Sequence, residues 1–390
     1  MSPSRADTFS LPLGERPLIR ARFLTRPNRF LVSCEAEGLG RVKAFLPNPG
    51  RLLELLLPDV ILYLLPNAPD APPRATDYTV LAVERDKRPV LLHTHWCNVM
   101  ARRLLDARAV PGLETMQVVR QEVQVGRSRF DFLLQDDNRR CYVEVKSCTL
   151  FGNGTAMFPD AVTARGRRHL LELADIAQEQ NTACRVLFIV QTDTARCFMP
   201  DYHTDPDFAH AMLSVRHHVP IVPLPITWDS RLRFRVSGPP LPTPWEHVAK
   251  ENCDCGAYLL VLRLDTPHVV KTGSLGTRRY LPGWYVYVGS AMKGLNARMA
   301  RHRRKRKRKH WHIDYLRDVA EYVDCLPIRS TTRMECDIAR DMAANSNGIT
   351  GFGCSDCACA AHLFHHTNNP LHDREFHNLL QRYRMAEYPG

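Results

Sequence analysis

The sequence predicts a multidomain chain of α+β and α/β class, and three observations lead there. Its 390 residues exceed twice the ~150 residues of a typical domain. Glycine, proline and asparagine clusters divide it into an opening region of strand-like runs, a middle region mixing strand-like and helix-like runs, and a closing region of the same mixed kind. A proline-rich stretch separates the last two. The expected division is a β-barrel over 1–85, an α/β domain over 86–236, a linker over 237–255 and a second α/β domain over 256–390.

In the first region, FLVSCEA, RVKAFL, VILYLL and YTVLAVE are short apolar runs between turn residues, as in a small barrel or sandwich. The second combines helix-like NVMARRLLDARAV with strand-like EVQVG, RFDFLL, CYVEVKS and RVLFIVQ. Between the last two, Leu170, Leu171, Leu173, Ile176 and Ala177 recur at helical spacing. SGPPLPTPWEHVAKENCDCG reads as a stiff linker, because proline disfavours both helix and sheet. After Gly256 come the strands GAYLLVLRL and WYVYVGS, a helix from Leu295 into a basic run, and helices at WHIDYLRDVAEY and TRMECDIARDMAA.

A hydrophobic share of 44% with 24% charged residues excludes fibrous and disordered classes. The most apolar stretch, 52–65, is broken by Glu54, Pro58 and Asp59, so no segment approaches the ~20 apolar residues that span a bilayer. The opening residues lack the signal-peptide pattern, and a cytoplasmic location without membrane association is expected. Thirteen irregularly spaced cysteines then suggest thiols or metal ligands over a disulfide framework. The net charge of +12 divides into +5 over 1–245 and +7 over 246–390. Eight basic groups of the latter part are Arg301, Arg303, Arg304, Lys305, Arg306, Lys307, Arg308 and Lys309. Such a block suits a phosphate backbone, making DNA the expected partner; a solvated loop or an acidic protein partner are the alternatives.

The first chemical constellation is SRFDFLLQDDNRRCYVEVKS. Turn-prone QDDNRR folds two strands into a hairpin. Alternation puts Phe130, Phe132 and Leu134 on one face and Asp131 with Leu133 on the other, while Glu144 and Lys146 share a face. Asp131 and Glu144 offer hard oxygen ligands to Mg²⁺ or Mn²⁺, and Lys146 can activate a water, the PD-(D/E)xK nuclease pattern. A salt-bridged exposed face is the plain alternative.

RFLVSCEAEG, FLPNPGRLLELLLP, NVMARRLL, EVQVGRSRFDFLL, CYVEVKSCTL, FPDAVTARGRRHLLEL and LFIVQTD resemble the bacterial sugar fermentation stimulation protein family over about 18–236. PNPG at Pro47–Gly50 stands where PNTG is expected. The resemblance implies an OB-like barrel followed by a PD-(D/E)xK-like domain, DNA binding and control of sugar utilisation. It carries Asp131 and Glu144 onto metal ligands and Lys146 onto the catalytic lysine, with Glu122, Thr163, Arg165 and His169 in support. For His169 the alternative is a solvated helix residue, and for Thr163 a helix start. Arg165, Arg167 and Arg168 sit near a helix N-terminus, where phosphate contact and a plain surface face are both open.

The second constellation joins Tyr258 and Tyr287 on two strands, Arg298 and His302 one helical turn apart, and Glu335. It resembles a GIY-YIG nuclease site, although GAY and YVG replace the eponymous triplets and 28 residues separate them. With the basic run, MECDIA and GFGCSDCACAAHLF, the resemblance is to the Uri-type branch over about 256–380. It implies that Tyr258 and Tyr287 position or deprotonate water, Arg298 stabilises phosphorane charge, Glu335 holds Mg²⁺, and His302 protonates the leaving oxygen or is solvated. Cys354, Cys357, Cys359 and His362 offer four soft ligands for Zn²⁺. Their spacing is cramped, so a site pairing Cys354 and Cys357 with another pair is better geometrically than these four alone, and buried small apolar thiols with a capping Ser355 are the preferred reading. A Mg²⁺-dependent DNA endonuclease without a small-molecule cofactor is the leading functional expectation; a sequence-nonspecific DNA-binding regulator of sugar-utilisation genes is the alternative.

Overall fold

A computed structural model describes residues 8–13, 16–68, 74–137, 139–179 and 182–385; most of the opening MSPSRADT stretch lies outside them. The chain forms two compact units. One holds the chain to Asp201 together with Asp207–Trp245, and the other holds Tyr202–Pro206 and the chain from Glu246.

In the first unit, strands Ile19–Asn28, Leu31–Ala36, Gly40–Phe45, Ile61–Pro66 and Tyr78–Arg85 form a closed five-stranded barrel consistent with an OB fold. Parallel pairing of Ala44 with Tyr78 and Phe45 with Thr79 closes it. Alternation explains the inward face: Leu31–Ala36 buries Val32, Cys34 and Ala36 in turn. One expectation changes here. Phe9–Ser10 pairs with Arg233–Val236, so this early strand joins the middle domain's sheet, although it lies within the expected 1–85 barrel. The barrel and middle domain also share one apolar cluster, in which Val32, Leu64 and Val80 join Leu173, Phe188 and Phe198.

The middle domain is a seven-stranded sheet in the order Phe9–Ser10, Arg233–Val236, Ile221–Trp228, Thr182–Val190, Arg140–Cys148, Ser128–Gln135, Gln117–Val125. Arg140–Cys148 runs parallel to Thr182–Val190, and its hairpin partner Ser128–Gln135 runs antiparallel to it. Helices Thr94–Asp106 and Ala164–Ile176 pack on it. In the second helix, Leu170, Leu173 and Ile176 are buried, but Leu171 is 44% exposed.

The expected linker is largely built into the fold. Leu241 donates to Pro223 O at 2.8 Å, Trp245–Glu251 is a helix, and a disulfide joins Cys253 to Cys255. That bond ties no distant segments. The remaining cysteines are free thiols.

The second unit is built on a five-stranded sheet in the order Glu321–Arg329, Gly256–Leu264, Gly283–Ala291, Leu363–His366, Asn347–Gly348. A hairpin of His268–Lys271 and Thr277–Tyr280 occupies the chain between the two tyrosine-bearing strands, which accounts for their wide spacing. Helices Leu295–Arg303, His312–Val319, Glu335–Ala343 and Arg374–Arg384 complete the unit. The last is not among the helices expected from the sequence; Asp373 caps it by accepting from Glu375 N. Gly289 is required where it stands, because a Cβ there would meet the rings of Tyr258 and Tyr287. Among the described residues no helix is long and apolar enough to cross a membrane.

Candidate functional site

The 128–148 hairpin places Asp131, Glu144 and Lys146 together. Among the described residues, its ladder runs from the Gln135–Arg140 pair to Phe132–Val143, and the pattern of the strand changes at Asp131. Phe132 and Leu134 pack with the Thr94–Asp106 helix side, whereas Phe130 joins Leu170 and Leu173 in the other cluster. Phe130, Phe132 and Leu134 therefore do not share one face as simple alternation predicts. Backbone Val145 N donates to Asp131 Oδ2 at 2.7 Å, and Asn98 Nδ2 donates to Oδ1 at 2.6 Å. Glu144 Oε1 pairs with Lys146 Nζ and lies 2.6 Å from His169 Nδ1.

Their partners divide the two carboxylates. Burial, then the neighbouring Glu144, pushes Asp131 up to about 6. Burial also pushes Glu144 up, but Lys146 and His169 outweigh it, leaving that carboxyl below its ordinary value. Glu144 Oε2 is buried with no partner among the described residues.

Around this centre the supporting groups divide. His169 is 2% exposed, not solvated, and Arg165 Nε donates to its Nε2 at 3.3 Å, which leaves Nδ1–H to donate to Glu144. Thr163 caps the helix by accepting from Gly166 N. Arg167 pairs with exposed Asp207 at 2.6 Å, and Arg168 approaches Glu172 at 3.8 Å. Glu122 is outside the cluster and pairs with Arg129. Asn98, which the sequence reading did not single out, enters from the first helix; a polar residue among helix-forming apolar ones in CNVMARRLL was its only signal.

In the second unit, Tyr258, Tyr287, Arg298 and Glu335 line one open cleft of about 620 Å³, joined by His310, Trp311, His312 and Arg333. The Arg298 guanidinium lies 3.9 Å from the Trp311 ring centre, a cation–π contact that fixes its aim. Burial pushes Tyr287 up to about 12. Glu335 Oε2 is buried without a partner among the described residues. His302 is fully buried, contrary to a solvated helix position, and its Nε2 lies 2.8 Å from Tyr258 Oη. Burial lowers it to about 3, so the ring is neutral at physiological pH and unsuited to donate a proton as a cation.

The basic run is folded. Arg301 Nη1 and Lys307 Nζ each lie 2.8 Å from the wholly buried Asp314 Oδ1. Asp314 also accepts from His310 N and Trp311 N, and these donors hold it well below the usual carboxylate range against its burial. Arg303 Nε donates to Tyr322 Oη at 3.3 Å, and Lys309 pairs with Asp318 at 2.6 Å. Arg304, Lys305, Arg306 and Arg308 are exposed.

The cysteine cluster differs from the one expected. Cys336, Cys357, Cys359 and His362 bring one ligand atom each within 4.8 Å of one another. Cys354 lies outside this group, with its thiol 3.8 Å from Ala360 O. The three clustered thiols are partly exposed, unlike the buried thiols preferred from spacing. Spacing within one segment gave no access to Cys336, which comes from a helix 21 residues earlier than Cys357.

Comparison with known proteins agrees with this architecture. Residues 24–92 match the SfsA N-terminal OB domain, 95–231 the sugar fermentation stimulation protein RE domain, and 257–385 a domain of unknown function, DUF123. A sugar fermentation stimulation protein homolog from Methanothermobacter thermautotrophicus is 38% identical over 229 residues, covering 58% of this chain and 92% of the relative. One from Moorella thermoacetica is 43% identical over 193 residues, 49% of this chain and 82% of the relative. The structure of Pyrococcus furiosus SfsA in complex with Ca²⁺ superposes with a TM-score of 0.55 at 26% identity, covering 61% of this chain and 99% of that one. With its OB domain, its RE domain and a DUF123 domain following them, this chain belongs to the sugar fermentation stimulation protein family.

Proposed function

We propose that the protein is a divalent-metal-dependent DNA endonuclease whose reaction is carried by the 128–148 hairpin. The observation that carries this reading is Glu144 Oε2, a buried carboxylate oxygen without a protein partner beside a second carboxylate at Asp131. Leaving such a group unpaired is costly, and a hard cation between the two would satisfy both. The Pyrococcus furiosus relative in complex with Ca²⁺ supports a cation of that class, since Ca²⁺ and Mg²⁺ take the same oxygen donors. Asp131 and Glu144 would hold Mg²⁺ or Mn²⁺, which supplies Lewis-acid stabilisation of the charge building on the phosphorus oxygens.

The chain's own groups do the positioning. Val145 N and Asn98 hold Asp131. His169, itself held by Arg165, engages one oxygen of Glu144 and leaves the other for the cation. Lys146, tethered to Glu144, orients the attacking water and offsets negative charge at the phosphate. In the second unit, Tyr258 and Tyr287 orient water, Arg298 meets the transition-state charge and Glu335 holds a metal in a separate GIY-YIG-like site. Here His302 is a positioning residue for Tyr258. Exposed Arg304, Lys305, Arg306 and Arg308 supply non-specific phosphate contacts.

The test incubates pure protein with supercoiled, linear, single-stranded and branched DNA, with and without Mg²⁺ or Mn²⁺. Metal-dependent cutting, of which Glu144→Gln removes the part that belongs to the hairpin, is the expected result. DNA binding without cutting in any metal or DNA form would instead select the non-catalytic regulator.

A further inference from the structure

We propose that Cys336, Cys357, Cys359 and His362 form a closed site for a structural Zn²⁺ in the second unit, separate from the oxygen-lined metal positions above. His362 Nε2 lies 3.4 Å from Cys357 Sγ and 4.0 Å from Cys336 Sγ. The sulfurs of Cys336, Cys357 and Cys359 and a ring nitrogen of His362 all lie within 4.8 Å of one another. A tetrahedral ion with Zn–S near ~2.3 Å and Zn–N near ~2.0 Å requires ligand separations of roughly 3.5–3.8 Å. The cluster is therefore close to the required geometry.

Donor chemistry selects the ion. Three sulfurs and one imidazole favour a soft or borderline cation over Mg²⁺ or Ca²⁺. Four protein ligands leave no open position, as in a structural site. The fourth ligand is already oriented: His362 Nδ1 lies 3.1 Å from Val288 O. That hydrogen bond places the proton on Nδ1 and the Nε2 lone pair toward the thiols, the outer-sphere arrangement of zinc-bound histidines.

Placement gives the ion a task. Cys336 sits in the first turn of helix Glu335–Ala343, whereas Cys357, Cys359 and His362 come from the segment leading into strand Leu363–His366. That segment contains Gly351 and Gly353 at positive φ, and its Cys357 and His362 line the cleft beside Glu335 and Cys336. A zinc bond across it clamps the segment to the helix that presents Glu335. Cleft geometry then depends on the ion although the ion takes no part in the chemistry.

The full chain, purified under a phosphine reductant, is washed with chelator and analysed for metals, then reconstituted with Co²⁺. Wild type should retain about one zinc per chain. The cobalt form should show tetrahedral visible bands with sulfur-to-cobalt charge transfer of three-thiolate intensity. Cys336→Ser and Cys359→Ser should lose the zinc, while Cys354→Ser and Glu144→Gln keep it. Retention of this zinc in a protein that never cuts DNA would leave the site standing and remove only the nuclease reading. If Cys336→Ser does not fold, the wild-type cobalt spectrum decides, and a spectrum lacking thiolate charge transfer overturns the site. Zinc lost in Cys354→Ser but kept in Cys336→Ser overturns it too, as does reduced wild type that takes up neither ion.

Discussion

At the residue scale, Asn98 and Glu54 show what burial does to polar side chains. Asn98 donates to Asp131, and a hydrogen bond to a charged group contributes about 1.5–3 kcal/mol. Asn98→Ala should therefore lower metal-dependent cleavage by about 10–100-fold, with higher Mg²⁺ recovering part of the loss. An unchanged rate would remove Asn98 from the site. Glu54 makes a different case. Burial, reinforced by Asp160, pushes its carboxyl from 4.5 to about 7. Below the lower value both folded and unfolded chains hold the proton; between the two values only the folded chain does. Stability therefore falls as pH rises through this window, and the loss is complete above it. Glu54→Gln abolishes that slope. Denaturant titration near pH ~8 should find the variant more stable by up to about 2 kcal/mol, a difference that disappears near pH ~4.

At the scale of elements, the basic run is one block in sequence and two populations in space. Arg301 and Lys307 hold Asp314, whereas Arg304, Lys305, Arg306 and Arg308 face solvent. Replacing those four with Gln should reduce the slope of log affinity against log salt by at most about four, near 0.9 per lost phosphate contact. Asp314→Asn should lower the thermal midpoint, since it leaves two partly buried cations without their partner; equal midpoints would mean the loop does not depend on it. Strand content, the hairpin and the helix at 164–176 were legible in the sequence because period and turn chemistry are local. Asp314 as a hub, Cys336 as a cluster member and the shared core of barrel and α/β domain were not, because each depends on segments that only tertiary folding brings together. His302 illustrates the limit. Helical spacing placed it correctly with Arg298, but spacing cannot show that Tyr258 lies against its ring.

Across the whole molecule, two candidate centres occupy two compact units and assemble from unrelated geometry, an acid pair on a hairpin in one and a glutamate at a helix start in the other. Their contributions should separate. Glu144→Gln and Glu335→Gln should each remove a distinct part of the cleavage, and the double variant should remove all of it. If both single variants and the double variant cut like wild type, neither centre is assigned correctly.

The Asp314 contacts have a further effect on how salt acts. An unstructured run of like charges relaxes when ions screen its self-repulsion, so salt alters its shape together with its attraction for a polyanion. Here the anchoring anion is wholly buried, where added ions screen weakly, while the outward guanidinium and ammonium groups meet the ionic atmosphere directly. The loop should thus act as a fixed ruler of charge: rising ionic strength is expected to dim its attraction for a polyanion without changing the spacing, so that a strand bound as proposed and released at high salt would meet the same array when the salt is diluted.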